Sequence, residues 1–104
     1  MAATWNASAL RQMGATTGRE LRAYDNLEWQ AAAYSGVGTL GGLVGWGPTI
    51  NVIRDPRWGR VQESIASEDP HLAATLATAM TQGLQDGEDA RFWLSAATLK
   101  HAFA

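Results

Sequence analysis

Cysteine is absent from the 104 residues. That excludes a disulfide framework and any thiolate zinc site, and leaves the redox compartment open. Lysine is nearly absent too. Lys100 is the only one, and the formal net charge of −2 gives no general footprint for nucleic acid. Charge is missing altogether between Glu28 and Arg54. That stretch is long enough to span a bilayer. However, Gln30, Ser35, Pro48, Asn51 and six glycines from Gly36 to Gly47 make it too polar and too broken for a spanning helix, so no membrane contact is expected. The opening Met1-Ala2-Ala3-Thr4-Trp5-Asn6 has no charged segment followed by an apolar one, so no signal peptide is expected, and the location of the protein stays open.

What is present is globular in character. The chain is 46% hydrophobic and 17% charged, enough apolar content for one small domain. Leu10, Met13, Thr17, Leu21 and Tyr24 recur at spacings of three and four, which predicts a helix over 7–24 with those residues as its buried stripe. Asn6 is its expected N-cap, with Trp5 and Leu10 placed for a hydrophobic staple. From Ala31 to Gly47 glycine is too frequent for a stable helix. Gly36-Val37-Gly38-Thr39-Leu40-Gly41 matches G-x-G-x-x-G, but it follows Trp29-Gln30-Ala31-Ala32-Ala33-Tyr34, which is not strand-like. A dinucleotide site is therefore not expected, nor is any other cofactor.

Residues 46–53 read as a short strand carrying Ile50, Val52 and Ile53, with Pro48 near its start. Ser67-Glu68-Asp69-Pro70 is a helix start, Asp69 capping and Pro70 at the first helical position. Leu72, Leu76, Met80 and Leu84 then step by four, and Gln85-Asp86-Gly87-Glu88-Asp89 ends that helix. Residues 93–99 read as a second apolar strand. The order is helix, strand, helix, strand. This is an α/β arrangement with parallel strands, because a strand–helix–strand crossover brings the second strand in alongside the first.

The most concentrated chemistry lies just after the first strand, in Arg54-Asp55-Pro56-Arg57-Trp58-Gly59-Arg60. Pro56 disfavours a helix there, so a constrained loop is expected. Guanidinium forks suit carboxylates, phosphates or vicinal hydroxyls, and an indole face suits sugar rings, bases or cations. Two readings stay open at this point. The arginines pair with Asp55, Glu63, Glu68 and Asp69 and merely pin the loop, or they present donors to a ligand. Lys100-His101 follows the second strand, which places a second basic cluster at the same sheet edge. Ligands of α/β folds bind at that edge. Ser64, Asp69 and His71 have the residue types of a hydrolytic triad but no oxyanion-hole signature. His71 and His101 lack a third convergent ligand for a metal.

These residues carry a resemblance. Gly45-Trp46-Gly47-Pro48-Thr49-Ile50-Asn51-Val52-Ile53 runs into the arginine loop and on through Val61-Gln62-Glu63-Ser64. With Ser67-Glu68-Asp69-Pro70, Gly83-Leu84-Gln85 and Lys100-His101, it resembles family 3 of the glycoside hydrolases, most closely the β-xylosidase branch. The resemblance implies a piece, residues 1–104, of the family's N-terminal (β/α)8 barrel domain. A whole barrel of that kind takes about 250 residues. It also implies part of a retaining, exo-acting enzyme that removes terminal β-xylosyl or β-glucosyl residues by means of two carboxylates. By position, Arg60, Lys100 and His101 match the donors that bind hydroxyls of the terminal sugar. Arg57, Trp58 and Glu63 fit as supports of the loop. The family's nucleophile lies beyond the Lys-His pair and its acid/base later still, so no catalytic carboxylate is expected among these residues. The rest of the barrel and the C-terminal domain would have to supply them. A stand-alone α/β module that binds a ligand or partner without chemistry is the alternative.

Overall fold

The computed structural model describes residues 1–35, 42–65 and 67–101. The glycine motif at 36–41 lies outside them. A short 3-10 turn at Ala2–Thr4 leads into α1 (Ala7–Ser35), then β1 (Val44–Gly45), a 3-10 turn at Val61–Glu63, α2 (Pro70–Gln85) and β2 (Ala96–Ala97). No helix among the described residues is long and apolar enough to cross a membrane.

Both helix starts are built as the sequence dictates. The Asn6 side chain accepts the Ala9 backbone N–H at 3.0 Å. The Asp69 side chain accepts the His71 N–H at 2.9 Å, with Pro70 at the first position, where its missing N–H costs nothing. The staple does not form, since Trp5 is 76% exposed. Helix α1 runs past the expected stop at Tyr24. Nothing from Asp25 to Ala33 breaks a helix, and the glycine that would do so comes only at position 36.

The buried face of α1 also differs from the expected stripe. Leu10 is buried, but Met13 and Tyr24 are 42% and 69% exposed, and Thr17 is exposed as well. The face turned to α2 is instead Leu10, Gly14 and Gly18, with Leu21 half-buried. A Cβ at Gly14 would run into the Met80 carbonyl oxygen, one at Gly18 into that of Leu84, and one at Gly83 into that of Arg11. The two helices touch backbone to backbone at three glycines. A count of apolar residues is blind to this, because glycine contributes no apolar side chain. The core gathers Leu10, Ile65, Leu76 and Ala77, with Ile50, Leu72 and Met80 packed against it. On α2 the expected stripe is correct: Leu76 and Leu84 are buried, and Leu72 and Met80 half-buried.

The strands pair in parallel, Val44 beside Ala96 and Gly45 beside Ala97. Both are shorter than the sequence suggests, and β1 lies ahead of the expected 46–53. Pro48 has no N–H to give, and the Gly47 N–H turns back to the Gly45 oxygen at 2.9 Å, so the regular ladder lapses there. It resumes at Thr49, which bridges in parallel to Lys100 on one side and to Ser64 on the other. Ile50 N–H donates to the Lys100 oxygen at 2.9 Å, and Ile65 N–H to the Thr49 oxygen at 3.0 Å. The extended segment at 49–53 is thus held centrally, between Ser64, Ile65 and Ser67 on one side and Lys100 and His101 on the other. The sequence assigned no pairing role to Ser64, Ile65 or Ser67.

Candidate functional site

The parallel pairing brings the two basic clusters to one edge. The chain leaves the central segment at Ile53 and enters the loop, while Lys100 and His101 end the neighbouring segment. Loop and pair meet through aromatic contact. The Trp58 indole and the His101 imidazole have centroids 5.5 Å apart and planes at 90°, an edge-to-face pair. The Arg54 guanidinium lies 5.6 Å from the Trp58 ring centroid, within cation–π reach. Trp58 therefore joins Arg54 to His101.

The other two arginines are paired. Arg57 closes on Asp55 through Nε and Nη2, the latter at 2.7 Å, and the Asp55 carboxylate also accepts the Arg57 backbone N–H at 2.9 Å. That clamp shapes the turn after Pro56 and stands in solvent, the Arg57 side chain being 88% exposed. Arg60 forms a two-pronged bridge to Glu63, Nε to Oε1 at 2.6 Å and Nη2 to Oε2 at 2.8 Å. Among the described residues its other nitrogen, Nη1, makes no hydrogen bond. Hydrogen bonds from Arg60 hold the Glu63 carboxyl below the ordinary 4.5. The charges of Arg60, Lys100 and His101 act in the same direction, and partial loss of water acts against them. Arg60 is correspondingly raised by Glu63. Glu63 thus links Arg60 electrostatically to the Lys-His pair.

His101 Nδ1 is buried and has no hydrogen-bond partner among the described residues. Buried polar atoms are normally satisfied, so this nitrogen calls for a partner that the described residues do not supply. The Lys100–His101 peptide is cis. One residue that sequence reasoning passed over is Asn51. Its Nδ2 donates to the His101 oxygen at 2.9 Å, and its Oδ1 accepts the His101 N–H at 2.6 Å. The signal available was its position, the one amide side chain between Pro48 and the first arginine.

The remaining candidates do not assemble. Asp69 is occupied as a helix cap, and the Ser64 hydroxyl donates to the Val61 oxygen at 2.7 Å, so Ser64, Asp69 and His71 form no relay. Asp55 is lowered by the hydrogen bonds of Arg57, and Glu63 by those of Arg60. Carboxylates tied down in this way are poor general acids at neutral pH. No cluster of three or more metal-ligating side chains occurs among the described residues.

The arrangement sets cationic and imidazole groups beside an indole. Comparison with known proteins places the chain in a family. The family model described as glycosyl hydrolase family 3 N terminal domain matches residues 1–104. The chain is 42% identical over 89 residues to the β-xylosidase/α-L-arabinofuranosidase 2 of Medicago sativa subsp. varia, covering 86% of this chain and 10% of that protein. It is 40% identical over 102 residues to β-D-xylosidase 3 of Arabidopsis thaliana, covering 96% and 12%. A xylan 1,4-β-xylosidase of Xylanibacter ruminicola is 46% identical over 56 residues, covering 54% and 6%. The chain thus spans only about a tenth of the length of the first two relatives. No solved structure matches it. The chain belongs to family 3 of the glycosyl hydrolases and lies within the N-terminal domain of that family.

Proposed function

We propose that this chain is part of a retaining, exo-acting glycoside hydrolase of the β-xylosidase or β-glucosidase type, a segment of its (β/α)8 barrel. In this reading it binds the terminal β-linked sugar and does not itself cleave it. Arg60, Lys100 and His101 donate to the sugar hydroxyls. Trp58 supports His101, Glu63 supports Arg60, and Arg57 fixes the loop. The observation that carries the reading is the contact of Trp58 with His101 at one sheet edge, which joins the arginine loop to the Lys-His pair. Directional cationic donors orient a ring and can strengthen their bonds as positive charge develops at the sugar in the transition state. The relatives' names, β-xylosidases among them, support a xylosyl substrate.

The test is a titration of the isotope-labelled chain with methyl β-D-xyloside. The His101 ring and Arg60 Nε–H signals should shift saturably. Arg60→Ala and Lys100→Ala should each weaken the binding by about tenfold, the loss of one hydrogen bond to a charged group. A sugar response that leaves those signals unmoved contradicts the proposal.

A further inference from the structure

We infer that Asn51 is a positioning residue for His101, holding the imidazole against Trp58. The inference rests on the reading of His101 as a sugar-binding residue, and it assigns the group that makes that role possible. The observations are geometric. Asn51 sits half-buried on the central extended segment, and its amide grips both backbone polar groups of His101: N–H to Oδ1 at 2.6 Å, oxygen from Nδ2 at 2.9 Å. Ladder bonds fix the neighbouring residue, with the Ile50 N–H on the Lys100 oxygen and the Lys100 N–H on the Pro48 oxygen. The ladder stops at Lys100, and Asn51 extends it by one residue with a side chain.

That extension matters because both backbone polar groups of His101 are held by this one side chain. Its ring makes the edge contact with Trp58, and its Nδ1 has no partner among the described residues. An imidazole keeps one orientation against a neighbouring ring more firmly when its backbone is fixed. A primary amide is the side chain that supplies one donor and one acceptor in a plane, matching the two backbone groups of a single residue. Asp at this position would keep the acceptor and lose the donor, and Ala would lose both.

The experiment compares wild type, Asn51→Asp and Asn51→Ala in the same labelled chain. The first readout is cross-relaxation between the His101 and Trp58 ring protons, with the amide signals of Ile65 and Leu76 reporting the core. The second is methyl β-D-xyloside affinity. The inference predicts that Asn51→Ala abolishes the ring-to-ring signal and weakens the sugar by about five- to twentyfold, the loss of two hydrogen bonds. Asn51→Asp should fall between, with the core signals of both variants unchanged. If Asn51→Ala does not fold, Asn51→Asp alone decides, because it is nearly the same shape. A wild-type ring signal and wild-type affinity in a folded variant overturn the inference. If the wild-type chain binds no sugar, the reading of the site fails, and the ring-to-ring signal still decides whether Asn51 positions His101.

Discussion

The His101 imidazole stands at 90° to the Trp58 indole, ring centres 5.5 Å apart, across a sequence separation that the parallel pairing of the strands closes. Trp58 also carries Arg54 at 5.6 Å. Removing the indole should therefore loosen both. Trp58→Leu is expected to weaken methyl β-D-xyloside by about two- to tenfold, the usual range for an aromatic pair, and Trp58→Phe to weaken it less. The check is the same titration, with the helical circular dichroism unchanged in both variants.

Glu63 gives a prediction about pH. Its folded carboxyl lies below the ordinary 4.5, chiefly because Arg60 donates to it. A carboxyl lowered on folding contributes stability that is fully present above its unfolded value and is lost as pH falls through the folded one. The Arg60–Glu63 bridge is thus complete at neutral pH and opens only below 4.5. The carboxyl carbon of Glu63, followed by NMR, should titrate below 4.5 in the wild type and move upward in Arg60→Ala. An unchanged midpoint in that variant contradicts the pairing. The pair is solvent-exposed, so added salt should weaken it.

The backbone contact of the two helices predicts an asymmetry among glycines. Gly83→Ala and Gly14→Ala force a methyl group into opposing carbonyl groups, and each should cost about 1–3 kcal/mol, the usual penalty of overpacking. Gly59, in the arginine loop, has nothing within 4 Å of where a Cβ would stand. Gly59→Ala should change stability by no more than about 0.5 kcal/mol. Urea unfolding of the three variants is the measurement.

The surface predicts how the chain behaves alone. Its accessible area is 7210 Å², against about 5,700 Å² for a compact protein of 11.1 kDa. The excess includes Trp29, Val44, Trp46 and Leu99, all exposed around the sheet and the end of α1. Exposed apolar surface with open strand edges favours association. Sedimentation of the purified 104-residue chain should show concentration-dependent oligomers. A single monomeric species at every concentration contradicts this.

Much of this was legible in the sequence, for identifiable reasons. Asn6, Asp69 and Pro70 announced the helix starts because capping is local chemistry. The parallel order followed from a strand, a helix and a second strand, and it brought Arg54–Arg60 and Lys100-His101 to one edge. The buried face of α1 was not legible, because Gly14 and Gly18 make their contact by having no side chain. Strand positions failed at Pro48, where the ladder lapses and then resumes at Thr49. The role of Asn51 was hidden because its partner is backbone, and backbone partners leave no mark in a residue pattern.

The central claim is that these residues hold a terminal sugar and that the catalytic carboxylates lie elsewhere. It is tested most directly by hydrolysis of para-nitrophenyl β-xyloside. The 104-residue chain is assayed alone and joined to the remainder of a family 3 enzyme. The account predicts no turnover by the chain alone and turnover by the joined protein. Arg60→Ala in the joined protein should lower kcat/KM by about a hundredfold, equivalent to about 2.7 kcal/mol of lost transition-state binding. Turnover by the chain alone would contradict the account and would turn attention to Asp55, Glu63, Glu68 and Asp69.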